Sequence, residues 1–215
     1  MNSQMNPTQP VNNKEEVPLE HYLERYRCAD PAAVAERTHT QYDEAGGAFL
    51  LTFLGREYSV SWPDLAVSCT DGKEGWDPLT HTNQSKLLVL RYLLEGQALP
   101  GTGKFLTFRE VPWGEVYIRQ FTGRCISRLA FTYGNRLDDY RQRMNRLGAA
   151  VIKDSDAGFS IEVFPGFEMR FLLWEGDDEF PPSAQILFSD NFAAAFHAED
   201  LVVAAEVVIG SIKFS

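Results

Sequence analysis

An α+β fold, with a mainly antiparallel sheet and packed helices in a single domain over residues 18–215, follows from three features of the chain. Strand-like and helix-like runs come in groups rather than in strict alternation, which argues against a parallel sheet with regular crossovers. The strand-like runs are joined by short turns, such as Leu54-Gly55-Arg56 and Pro165-Gly166, that suit hairpins. Apolar residues make up 44% of the 215 and aromatic residues 13%, enough to bury a real core.

In order, residues 1–17 are rich in Asn, Gln, Pro and charge, and are expected to form a disordered tail, because they bury too little to offset their ordering entropy. Leu19, Tyr22, Leu23 and Tyr26 recur at helical spacing, and Asp30-Pro31 reads as the cap and first turn of a second helix to about Arg37. These two helices form an N-terminal arm within residues 18–45. Residues 48–53 and 57–62 read as a hairpin, with a short third strand at 65–69. From Asn83 a helix apolar nearly all round runs to Gly96 and is the expected central helix.

Residues 99–104 resemble a phosphate loop but lack its spacing, since Ala98 and Phe105 stand where Gly and Ser or Thr are needed. They read instead as a turn into a strand at 105–109. Trp113, Tyr117, Phe121, Cys125, Leu129 and Tyr133 fall at strict four-residue spacing and predict one long helix, closed by Gly134. Leu137, Tyr140, Met144 and Leu147 predict another. Residues 150–152, 159–164 and 167–174 form a meander, 184–188 a further strand, and Glu199-Asp200 opens a last helix at 201–212, where the helix dipole favours acids.

Thirty acidic residues against twenty basic give a net charge of −10, which disfavours nucleic acid and anionic membranes as partners. Cys28, Cys69 and Cys125 are isolated and odd in number, so neither a disulfide framework nor a cysteine cluster is indicated, and a reducing cytoplasm fits. The sequence offers neither a signal peptide nor an apolar run long enough to span a bilayer.

The densest chemistry is the acidic loop at 175–179, Glu175-Gly176-Asp177-Asp178-Glu179, ending in Pro181-Pro182. Asp177, Asp178 and Glu179 with His197 are the candidate ligands for a hard cation, against a plain reading as a solvated or arginine-paired loop. Arg109 or Arg124 is the expected pairing partner. Arg56, Lys104, Arg109 and Arg124 are expected to converge on an anion-binding surface, with Trp174 as an aromatic wall. His81 is a second histidine of interest. No catalytic nucleophile motif occurs.

Leu54-Gly55-Arg56-Glu57-Tyr58, Thr102-Gly103-Lys104, Phe108-Arg109-Glu110-Val111-Pro112, Trp174 through Pro181 and Glu199-Asp200-Leu201 together resemble the motifs of a prokaryotic family, domain-of-unknown-function family 3786. The resemblance covers about Pro18 to Ile212. It implies a unit of anaerobic bacteria and archaea, fused in some members to a cysteine-rich iron–sulfur domain. This chain lacks those cysteines, so an iron–sulfur or cofactor-handling protein is the implied partner. Trp113 departs from the family pattern, where a second small residue beside Gly114 is expected.

Three functions remain open: a non-catalytic ligand-binding or accessory module of anaerobic redox or cofactor metabolism, a metal-dependent hydrolase or transferase using the loop at 175–179, and an interaction protein using its N-terminal arm.

Overall fold

A computed structural model describes residues 16–215. The expected tail falls almost wholly outside the described residues. Glu16 and Val17 instead belong to the first helix, α1 (Glu16–Arg27). α2 (Pro31–Thr38) begins as its sequence dictates, with the Asp30 carboxylate accepting from the Ala32 N–H. Neither helix projects as an arm. Tyr26 is fully buried, its main-chain oxygen accepts from the Trp62 indole, and α1 packs along the central helix.

The strands divide into two antiparallel sheets rather than one. In the first, β1 (Gln41–Asp43), β2 (Ala48–Phe53), β3 (Arg56–Ser61) and β4 (Val67–Cys69) follow each other in order. A short α3 (Pro78–His81) and the central α4 (Asn83–Glu95) come next, and Leu88, Leu90 and Leu93 are buried. β5 (Phe105–Thr107) then starts the second sheet, and a long rod follows: α5 (Gly114–Phe121), a π-helical turn (Thr122–Ser127) and α6 (Arg128–Tyr133).

After α7 (Leu137–Arg146) come β6 (Ala150–Ile152), β7 (Ala157–Phe164), β8 (Phe167–Trp174) and β9 (Ser183–Ser189). The short α8 (Phe192–Ala195) and the long α9 (Ala198–Phe214) finish the chain. The second sheet runs β5-β9-β8-β7-β6, so its earliest strand pairs with its last.

The π turn explains the strict four-residue stripe. Four residues turn an α-helix through about 400°, so such a stripe drifts by about 40° per step and would leave the core. Phe121, Cys125, Leu129 and Tyr133 nevertheless stay buried, because the widened turn between them takes up the excess. Trp113 does not join the stripe. It caps α5 from the left-handed region (φ 65°) and is 76% exposed. That backbone angle is one glycine adopts freely and a tryptophan rarely does.

The sheets meet where the Leu54 N–H at the β2–β3 turn donates to Val163 O on β7, at 3.0 Å. An aromatic layer of Tyr92, Phe164, Phe167 and Phe196 fills the space between that junction, α4 and α8, with Tyr92 stacked on Phe164 at 4.5 Å. Arg91 of α4 pairs with the buried carboxylate of Asp200, which also accepts from the His197 N–H at the start of α9. Among the described residues no helix is long and apolar enough to cross a membrane.

A tight reversal follows the end of β5. The Glu110 carboxylate accepts from both the N–H and the hydroxyl of Thr107 at 2.7 Å, and the chain turns back so tightly that a Cβ on Gly114 would overlap the Phe108 carbonyl. Phe108 is thereby laid flat on Phe121, ring centres 4.1 Å apart. Gly114→Ala should therefore cost about 2 kcal/mol or more, since a backbone atom and not a flexible side chain must give way. Equilibrium denaturation in urea measures this, and an unchanged midpoint would contradict it.

Candidate functional site

The candidate residues do not gather into one surface; they divide between two cavities and separate ion pairs. Arg56 lines a cavity of about 410 Å³ between the β2–β3 turn, the loop before α3 and the end of α9. Its guanidinium is already engaged. Nε and Nη2 hold the Asp71 carboxylate at 2.7 and 3.0 Å, Nη1 reaches Trp76 O, and Nη2 also reaches Lys73 O and Cys69 Sγ. Arg56 is thus a clamp on the loop at 69–77. It places Trp76 against Phe214, rings stacked at 4.2 Å, with His81 on its other side at 4.7 Å.

Arg109 and Trp174 come together in a second cavity, an open groove of about 340 Å³. The α5–α6 rod forms one wall through Ile118, Phe121, Thr122 and Ile126, and β9 forms the other through Ala184, Gln185 and Ile186. Arg109 is exposed and pairs with the exposed Glu115, both distances 2.9 Å. Such a pair is worth little and exchanges readily with another carboxylate. Arg124 leaves the same stretch of rod in another direction and holds Glu206 of α9 with two hydrogen bonds. The Lys104 carbonyl accepts from the Asp190 N–H, and its ammonium helps to keep the Asp190 carboxyl below the usual range, behind the larger effect of the Thr102 hydrogen bonds.

Residues 30–211 match the family described as "Domain of unknown function (DUF3786)". The chain belongs to this family. No curated protein and no solved structure matches it.

In this DUF3786 domain the acidic loop is folded on itself. Asp177 Oδ1 accepts from the N–H groups of Glu179 and Phe180 at 2.9 and 2.7 Å, and the Asp177 N–H returns to Phe180 O. Those donors hold the Asp177 carboxyl below its ordinary value, with Phe180 as the larger cause. Pro182 seats against Gly134 and Gly176, where side chains would collide with it. The expected pairing with Arg109 or Arg124 does not form, because Arg109 pairs with Glu115 of α5 and Arg124 with Glu206 of α9. The candidate metal ligands do not assemble either. His197 caps α9 and lies 4.0 Å from Glu95, and among the described residues no group of three or more His, Cys, Asp or Glu side chains comes together to hold an ion.

Sequence reasoning found Arg109 and Trp174 but missed Ile118, Ile126, Gln185 and Ile186. Two signals were available. The unbroken four-residue spacing of 117–133 marks a widened turn, and Thr107-x-x-Glu110 is a capping pattern that stops a strand at Thr107.

The Arg56 clamp gives a pH signature. Its hydrogen bonds depress the Asp71 carboxyl well below the ordinary value of 3.8. A depressed folded-state value stabilises the fold above the unfolded value, and that contribution is lost as pH falls from 3.8 toward the folded value. Arg56→Gln should lower the melting temperature at neutral pH and move the acid-unfolding midpoint to higher pH. Superimposable acid titrations of the two proteins by circular dichroism would show that the clamp contributes nothing.

Proposed function

We propose that this domain is a non-catalytic binding module, an accessory of redox or cofactor metabolism, whose ligand occupies the groove of Arg109 and Trp174. The make-up of that groove carries the reading. Its lining is apolar or neutral, with Arg109 as the one charged side chain among the described residues that line it. It offers an apolar floor, an indole and a cation with an exchangeable partner, which is equipment for holding a group. Proton transfer or nucleophilic attack needs a base beside a nucleophile, and the lining provides no such pair. The buried Cys125 behind it is no substitute, because burial pushes its thiol up to about 12. The redox or cofactor setting is supported by the family resemblance alone.

The groove is tested with 8-anilinonaphthalene-1-sulfonate, an apolar anion that brightens in such sites. It should bind saturably to the natively folded protein, checked by near-ultraviolet circular dichroism so that a molten state is not being read. Ile126→Trp, which fills the groove, should abolish binding. Arg109→Ala should weaken it by about tenfold, the loss of one charge-assisted contact of about 1.4 kcal/mol. Binding that ignores both substitutions would place the ligand site elsewhere.

The metabolic setting has its own test. Protein purified without oxygen, together with what it retains, should carry a visible absorption band and stoichiometric iron or tetrapyrrole, both lost in Ile126→Trp. Colourless preparations of both proteins would remove the redox or cofactor role and leave the binding module.

A further inference from the structure

Edges in this fold are short. β1, β4, β5 and β6 are each three residues long, a length that offers little template to another chain. β9 runs past its edge partner. β5 pairs only with Leu187, Phe188 and Ser189, leaving residues 183–186 with β8 on one side and no strand on the other. The comparable overhang of β7 is met by Leu54, whose N–H donates to Val163 O. Among the described residues no main-chain bond from the 108–113 turn reaches Ala184 or Ile186.

The direction of the free groups follows from two independent bonds. The Asp190 N–H donates to Lys104 O, so residue 190 faces the β5 side and, by alternation, so do 188, 186 and 184. From the other side, the Leu173 N–H points toward β7, where it meets Ser155 Oγ at 3.4 Å. Leu173 is opposite Ala184 and Phe171 opposite Ile186, so these two β9 residues turn their main-chain groups away from β8. Both lines turn the main-chain groups of Ala184 and Ile186 away from β8 and toward the groove side, where the Ile186 carbonyl faces Phe108 and Ala184 lies beyond the turn with no strand opposite.

Resting on the binding-module reading above, we propose that the groove takes an extended polypeptide segment of a partner protein, added as a strand alongside Ala184–Ile186 in continuation of β5. Main-chain pairing to Ala184 and Ile186 supplies the docking. Side-chain preference follows from the pleat. Ile186 shares a face with Phe171 and Phe159, the face on which Tyr140 of α7 packs, so residues opposite Ile186 and Ala184 point toward the helical rod and its Phe121 and Ile126. Apolar residues at alternate positions fit there. An acidic residue in the segment answers Arg109 and displaces Glu115 from its exposed pair. A second copy of this chain is a poorer occupant, because Ser183-Ala184-Gln185-Ile186 has no acid for Arg109.

The test is selection of a displayed library of random ten-residue segments on the folded full chain, followed by calorimetry on the synthetic winners. We expect winners with alternate apolar residues and an acidic one that compete with anilinonaphthalene sulfonate. N-methylation of every second amide in a winner should abolish binding while methylation of the intervening amides leaves it, because only alternate N–H groups face β9. Ala184→Pro removes an outward N–H that no ladder bond uses and should weaken binding about tenfold or more. If that variant does not fold, the N-methyl series decides alone.

Winners that bind without this alternation overturn the proposal. So does a concentration-dependent dimer that Ala184→Pro dissolves, which would make the occupant a second copy. If the sulfonate dye binds the groove and no segment is enriched, strand addition fails and the binding module stands; if the dye does not bind there either, both fail.

Discussion

The missing side chain of Gly114 sets the geometry from which the groove follows. Because the chain can pass against the Phe108 carbonyl there, it reverses within a few residues of Thr107, and Phe108 turns onto Phe121 and Phe188. β5 is cut to three residues by this reversal, which the Glu110 carboxylate holds by accepting from Thr107, the last residue of the strand. The same reversal launches the α5–α6 rod across the sheet at a distance from β9. A longer β5 would have completed the edge and filled the space. The groove is therefore the direct result of a short strand beside a seven-residue one, and of a glycine that permits the turn.

Charge is managed locally in this acidic chain. Arg56, Arg109 and Arg124 each hold a different carboxylate, on the β4–α3 loop, on α5 and on α9, and Arg91 holds Asp200. The pairs differ in what they do. Asp71 and Asp200 have almost no exposed side chain, so losing either arginine would leave a buried carboxylate without its ion-pair partner, and each pair fixes the position of one element on another. Arg109 and Glu115 are both mostly exposed, and little is lost if one partner is exchanged. This separates a cation that orders the fold from one available to a ligand, although all four look alike as arginines near turns or on helices. The acidic loop follows the same logic: its Asp177 answers backbone N–H groups, and its two prolines pack it down.

Element types were legible in the residues because they rest on local rules: the alternation of Tyr58, Val60 and Trp62, strand-like apolar runs at 48–53 and 167–174, an Asp-Pro start for α2, a near-continuous apolar run for α4. Family membership was legible too, in short motifs that cover most of the chain. Arg109 and Trp174 stood among the candidates, but nothing local set them apart from Arg56, Lys104 and Arg124, which do not line the same groove. Three-residue strands such as β1 carry too little pattern to stand out from loops, and the division into two sheets depends on which hairpin meets which, a long-range choice. The partner of each arginine was beyond reach for the same reason, since Arg124 and Glu206 are 82 residues apart in the chain. Sequence determined the elements and their polarity, because backbone propensity and the alternation of side chains act over a few residues. Tertiary structure alone decided that β9 outruns β5 and that the rod stands over the gap, because the open edge is a difference in length between strands that meet only after the chain has folded.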